Sequence, residues 1–219
     1  MKEYKTENII NFALCGHSTT GKTTLLESLL FNAGVIKRLG TIEDGNTTSD
    51  YHDDEIEHRH SITSSVANFE WLDKKFNVID TPGYLEFHGE SKAALRVADF
   101  AAIVINGSNG VEVGTELVWD YAKSDYQIPR LIVVNFLDRD NTDFDKVLAQ
   151  AKERFGNKVF PFMIPMDHGE NFNQAADILR KEIYTYETNG SGNYKESKPT
   201  GEWVESLNTL HEELIELIA

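Results

Sequence analysis

The segment Gly16-His17-Ser18-Thr19-Thr20-Gly21-Lys22-Thr23 fits the pattern G-x-x-x-x-G-K-[ST], a spacing suited to holding polyphosphate. Its glycines let successive backbone N–H groups curl toward phosphate oxygens, and a helix starting near Thr23 and Thr24 adds its positive end. Lys22 would reach the outer phosphates, and the Thr23 hydroxyl would ligate Mg²⁺. Further along, Asp80-Thr81-Pro82-Gly83 follows an apolar run. There Asp80 could hold Mg²⁺ through water, and the Gly83 N–H could face a terminal phosphate. Asn135-Phe136-Leu137-Asp138 closes another apolar run. Asp138 could accept hydrogen bonds from guanine N1–H and the exocyclic amine, a donor pair that adenine lacks. Alone, D-T-P-G is an ordinary turn and N-x-x-D an ordinary loop. Their order after the glycine loop, each at the end of a predicted strand, points to GTP or GDP with Mg²⁺.

These loops need a scaffold, and short apolar runs alternating with amphipathic stretches supply the α/β pattern. Asn8–Cys15 reads as a buried strand and Thr23–Ala33 as a helix with Leu25, Leu26, Leu29 and Leu30 on one face. Thr63–Leu72 and Lys75–Asp80 read as paired strands, and Phe100–Asn106 and Leu131–Phe136 as strands covered on both sides. Val159–Ile164 reads as a last core strand. Helical patterns fall at about 90–98, 113–124 and 143–154. Right-handed crossovers would order these into a doubly wound, mostly parallel P-loop sheet with helices on both faces and ligand loops at the strands' carboxyl ends. Beyond Pro165 the pattern changes. Ala175–Glu187 fits helix or strand, Thr188–Thr200 reads as a turn or mobile loop, and Glu202–Ile218 as an amphipathic helix.

Between about 36 and 60 lies a polar, acidic stretch containing His52, His58 and His60 with Asp50, Asp53, Asp54 and Glu55. Without tight ligand spacing it reads as a solvated functional loop rather than a transition-metal site. His168 and His211 read as surface residues, and Trp71, Trp119 and Trp203 as core or helix-packing residues. Composition is that of a soluble globular protein, with 40% hydrophobic and 26% charged residues. The net charge of −15 argues against broad binding to nucleic acid or anionic lipid. No apolar run reaches the roughly eighteen residues needed to span a bilayer, and no secretory signal pattern opens the chain. The single cysteine, Cys15, falls in an apolar run and reads as a small buried hydrophobe. A cytoplasmic, monomeric protein without membrane or sequence-specific DNA partners is expected.

With these motifs in place, the sequence resembles the GTPase domain of translation elongation factor G, nearest to the divergent elongation factor G-like proteins. The likeness covers Leu39–Tyr51, Trp71–Phe87, Leu95–Ala98, Gly107–Glu116, Arg130–Phe144 and Phe160–Phe172. It implies a translational GTPase domain over 1–165 and part of an inserted subdomain over 166–219, with Ala175–Tyr186 then a strand. It makes 36–62 and 81–98 the two switch loops that order around γ-phosphate and Mg²⁺, and it implies action on the ribosome through a full-length protein. The family's last guanine-contacting turn and its later domains do not occur before Ala219, so the chain is expected to be an N-terminal portion or a truncated product.

Four positions depart from that family. Tyr84 stands where the family has its catalytic histidine, and losing a water-positioning group costs roughly 10²–10⁴-fold in rate. The switch pattern Arg-Gly-Ile-Thr becomes His58-Arg59-His60-Ser61, making Ser61 the second hydroxyl ligand of Mg²⁺ alongside Thr23 and Asp80; matching Ile62-Thr63 instead needs a two-residue shift. Phe136 replaces a lysine whose stem packs on the base, and Thr19 replaces an aspartate of the phosphate loop. The sequence therefore predicts a GTP-binding domain with slow hydrolysis. The alternative is a non-hydrolysing module whose nucleotide state controls ribosome docking. An ATP-using enzyme such as a kinase is disfavoured by Asp138.

Overall fold

The computed structural model describes residues 2–188 and 191–219, which form two compact units. The first comprises the chain up to Asn106 together with Val111–Asn135, and the second Gly107–Gly110 with Phe136–Ala219.

The first unit is built on strands β1 (Ile9–Cys15), β2 (Ser65–Trp71), β3 (Lys74–Asp80), β4 (Phe100–Asn106) and β5 (Arg130–Asn135), in the order β2-β3-β1-β4-β5. β3, β1, β4 and β5 run parallel, and only β2 is antiparallel, to β3. This is the expected mostly parallel sheet. β4 is apolar from Phe100 to Ile105 and buried along most of its length, as a central parallel strand must be. β2 alternates instead: Ser65 and Phe69 are buried while Val66, Asn68 and Glu70 face outward, the period of an edge strand with one wet face. Trp71 ends that strand 48% exposed. It is not a core residue, because the edge strand's last residue reaches solvent.

Helix α1 (Lys22–Asn32) follows β1 through the phosphate loop. Leu26 and Leu30 pack with Phe12, Leu14, Phe69, Val78, Ala102 and Val104, and the Phe12 and Phe100 rings stack with centroids 5.0 Å apart. Helices α2 (Asp53–His58), α3 (His88–Leu95) and α4 (Val113–Asp120) complete this unit, α4 continuing into a π-helical turn at Tyr121–Asp125. Trp119 is buried and carries the Arg130 guanidinium 4.6 Å from its ring centroid.

The second unit contains α5 (Phe144–Phe155), an antiparallel sheet of β6 (Met163–Pro165), β7 (Gln174–Asp177), β8 (Glu182–Tyr186) and β9 (Tyr194–Ser197), and α6 (Glu202–Ile218). The N-terminus of α5 is capped by Asp143, whose carboxylate accepts the Lys146 N–H at 2.9 Å. The last core strand predicted at Val159–Ile164 does not form. Pro161 interrupts it, having no N–H for a ladder, and only Met163–Pro165 pairs, antiparallel to β7. Ala175–Tyr186 is a hairpin of β7 and β8 rather than one strand. β9 lies inside the stretch predicted as loop, held by ladder bonds to β8 and by Tyr194 against Tyr184 and Tyr186; Asn189 and Gly190 of that stretch lie outside the described residues. α6 covers this sheet with Leu207 and Leu214, which bury with Ala176, Ile178 and Ile183, and with Trp203 and Leu210 beside them. His211 is half-buried, its Nδ1 3.0 Å from the Ile178 carbonyl, rather than a free surface residue.

Leu26 is fully buried in the first core. Leu26→Ala should destabilise the chain by about 3 kcal/mol, read as a lowered urea midpoint at unchanged slope.

Candidate phosphate and magnesium site

Parallel pairing of β1 with β3 sets Leu14 opposite Asp80, so the loops leaving both strands emerge at one edge of the sheet. Thr81 fastens them together. Its N–H and hydroxyl both donate to the Leu14 carbonyl, at 3.2 and 2.8 Å. Gly16 begins the phosphate loop at φ 142°, and a Cβ there would lie 2.4 Å from the Val104 carbonyl oxygen of β4. No side chain fits at that approach. Within the loop, the Thr20 hydroxyl donates to the His17 carbonyl at 3.0 Å, while Ser18 is half-buried and Thr19, with φ 61°, is exposed. Gly21 precedes α1 in the left-handed region, and Thr24 sits exposed in the helix's first turn. Asn135, at the end of β5, donates through Nδ2 to the Thr20 carbonyl at 3.0 Å.

Lys22 is buried and donates to the carbonyls of Gly16 and His17 at 3.2 and 2.8 Å. Burial pulls its pKa down, and the nearby Asp80 carboxylate works against that. A Cβ on Gly83 would come 2.5 Å from Lys22 Nζ and 2.7 Å from the Ser18 nitrogen. The D-T-P-G turn therefore presses its glycine onto the phosphate loop, an approach only glycine allows.

Under the loop lies a network of hydroxyls and carboxylates. Thr23 Oγ1 donates to Asp80 Oδ2 at 2.8 Å and lies 3.3 Å from Ser61 Oγ. Ser61 donates to Asp50 Oδ1 at 2.7 Å, and Ser49 donates to Asp80 Oδ2 at 2.9 Å. The structure thus brings Ser61 to Thr23, whereas the Thr63 hydroxyl goes to Glu55 at 3.3 Å. Asp80 Oδ1 and Asp50 Oδ2 are buried without a hydrogen-bond partner. Two orphaned carboxylate oxygens beside two hydroxyls form a hard, oxygen-only donor set that fits Mg²⁺, which takes few carboxylates and completes its shell with water and phosphate. Burial pushes Asp80 up to about 6 and raises Asp50 as well, Asp80 being partly offset by the Thr23 hydrogen bond and Asp50 by that of Ser61.

The 36–62 stretch is not simply solvated. Asp50 and Glu55 are buried, and carboxylates fasten the loop along its length. Glu27 of α1 accepts the Gly40 and Thr48 N–H groups at 2.9 and 2.5 Å. Glu55 accepts those of Ile62 and Thr63 at 2.9 and 3.0 Å, and Glu90 of α3 accepts that of Ser64 at 2.9 Å. Sequence reasoning placed Asp50 and Glu55 in a solvated loop and passed over Ser49, Glu27 and Glu90. Among these three only Glu27 left a signal, lying one helical turn from both Thr23 and Leu30 on the buried face. Tyr84 is 38% exposed, its ring centroid 4.6 Å from that of His60. Phe136 and Asp138 belong to the second unit, where Phe136 takes φ 62° and carries the Arg139 guanidinium 3.6 Å from its ring centroid.

A glycine loop between a parallel strand and a helix, with a buried Lys-Thr pair facing an aspartate at the next strand's end, defines a P-loop nucleotide-binding fold of the α/β class. The chain belongs to the elongation factor Tu GTP-binding domain family, whose model matches residues 7–217. It is 34% identical over 213 residues to elongation factor G of Mycoplasma genitalium, covering 97% of this chain and 31% of that protein. It is 33% identical to elongation factor G of Mycoplasma pneumoniae, with the same coverage. A crystal structure from Thermus thermophilus superposes with a TM-score of 0.87 at 33% identity, over 95% of this chain and 31% of the other. The chain therefore spans about a third of the length of the relatives it matches.

Because Asp80 titrates higher folded than unfolded, its contribution to stability is greatest below about pH 4 and is lost as pH rises through about 6. Without nucleotide or divalent cation, Asp80→Asn should flatten the loss of stability between about pH 4 and 6 and raise the melting temperature at pH 7. Calorimetric melting in a chelator across that range checks both.

Proposed function

We propose that this chain is the guanine-nucleotide-binding domain of an elongation factor G-like translation factor, acting on the ribosome through its full-length protein, with slow GTP hydrolysis. The observation that carries this reading is the Thr23 hydroxyl held between Asp80 and Ser61 beneath the glycine loop. Residues 1–165 form the translational GTPase domain and 166–219 part of an inserted subdomain. The protein works as a cytoplasmic monomer without a membrane or a specific DNA sequence. No helix among the described residues is long and apolar enough to cross a membrane.

Backbone N–H groups of Gly16–Thr24 and the Lys22 ammonium bind and orient the phosphates. Thr23, Ser61 and Asp80 hold Mg²⁺, which when bound supplies positive charge to the phosphate oxygens. The Gly83 N–H faces the terminal phosphate, close to Lys22. Asn135 braces the loop through Thr20, Phe136 offers an apolar face, and Asp138 reads the guanine edge. Tyr84 stands where the family resemblance expects a histidine. Its hydroxyl lacks imidazole's paired donor and acceptor, so the rate falls by roughly 10²–10⁴-fold. The same residue favours a second reading, a module whose nucleotide state governs ribosome docking without hydrolysis. Single-turnover hydrolysis with and without ribosomes separates the two, and a normal ribosome-stimulated rate removes the second.

Calorimetry with Mg²⁺ should show GTP and GDP binding in preference to ATP. Asp138→Asn should shift preference toward xanthosine nucleotides, because its amide donor meets the carbonyl that xanthine carries in place of the amine. Tight ATP binding with no guanine preference sinks the guanine assignment. Tyr84→His should raise single-turnover hydrolysis by about tenfold or more, and an unchanged rate would count against a role for that position.

A further inference from the structure

Two loops close over the outer end of the phosphate loop, and each presents an aromatic ring beside its phosphate-side residue. Ser61 lies 3.3 Å from Thr23, and His60 precedes it. Gly83 packs against Lys22 Nζ, and Tyr84 follows it. The two rings meet, with centroids 4.6 Å apart and planes tilted by 52°. Phe87 and His58 complete the cluster, their centroids 6.3 and 5.8 Å from that of His60. The imidazole is thus held by packing between both loops, one residue from the hydroxyl that joins Thr23.

Of the two rings in contact, only His60 carries a donor and an acceptor nitrogen in one rigid plane. Its Nδ1 lies 3.3 Å from the Ser61 carbonyl. A neutral imidazole donating Nδ1–H to that oxygen keeps Nε2 as an acceptor, the tautomer a water-orienting group needs.

Resting on the reading of this chain as a GTP-binding domain, we infer that His60 is the water-positioning residue for its slow hydrolysis, with Tyr84 as the wall that fixes the imidazole. Nε2 accepts a hydrogen bond from the attacking water. The water oxygen bonds to the γ-phosphorus while the bond from that phosphorus to the β–γ bridging oxygen breaks. GDP leaves with that electron pair, and the water's proton passes directly to an oxygen of the phosphate released.

The test is single-turnover GTP hydrolysis with Mg²⁺, with binding of a non-hydrolysable GTP analogue measured separately. His60→Phe keeps the ring packing and removes both nitrogens, whereas His60→Gln restores a donor and an acceptor without the ring. His60→Phe should cut the rate by about tenfold or more while leaving analogue affinity within about twofold, and His60→Gln should recover much of the loss. Tyr84→Phe should cost less rate than His60→Phe. The inference is overturned by His60→Phe at the unsubstituted rate, by a larger loss from Tyr84→Phe, or by no hydrolysis above background in a chain that binds the analogue. Failure to bind the analogue overturns the GTP-binding reading instead.

Discussion

A buried lysine and a buried aspartate beneath one glycine loop set the terms for the first unit. Charges of both signs are held out of water there, and leaving either without polar partners is costly. Lys22 is met by loop carbonyls, and Asp80 by the hydroxyls of Thr23 and Ser49. Those partners can be in place only if β1 and β3 are parallel and in register, since the strand ends deliver both loops. The glycines follow from the same demand. Gly16 lies against β4 and Gly83 against Lys22, at approaches that leave no room for a Cβ.

The long acidic loop reaches this centre through Ser49 and Ser61. A stretch with so many carboxylates would be expected to extend into water, yet Glu27, Glu55 and Glu90 turn toward backbone N–H groups and fold it down. Hydrogen bonds to an ionised acceptor are worth about 1.5–3 kcal/mol each. Several along one loop bring Ser61 to Thr23 through contacts of the protein alone. The loop's position is therefore set by carboxylates reaching from α1 and α3 as well as by its own Glu55. A cation would add to an arrangement already bonded, drawing on the oxygens of Asp50 and Asp80 that lack protein partners.

Two aromatic residues near the loops, Tyr84 and Phe136, are held by contacts of their own. Tyr84 occupies a partly exposed place where a phenol ring is well accommodated, and His60 lies against it. Phe136 does not turn into an apolar core; its ring is covered by the Arg139 guanidinium, a cation–π contact within the second unit. Both rings are thus placed by neighbours within their own unit.

The phosphate loop, the strand Phe100–Asn106 and the helix Glu202–Ile218 were fully legible because their signals are local. Glycine spacing, a continuous apolar run and a helical period each reside in neighbouring residues. Pro161 carried a local signal against a strand at Val159–Ile164, because it has no N–H for a ladder. Of the hydroxyl–carboxylate network, the resemblance had grouped Ser61 with Thr23 and Asp80, and the rest was not legible. Ser49, Asp50 and Glu55 look like any polar loop until the sheet brings Thr23 and Asp80 beneath them. Trp71 and the strand Tyr194–Ser197 were misread for the same reason, as exposure at a sheet edge and pairing with a distant strand depend on neighbours the chain supplies elsewhere. The sequence by itself determined that a glycine loop of the P-loop pattern joins β1 to α1, and which residues begin it. Only the tertiary structure decided which side chains meet under that loop, because burial and hydrogen-bond partners are set by residues far apart in the chain.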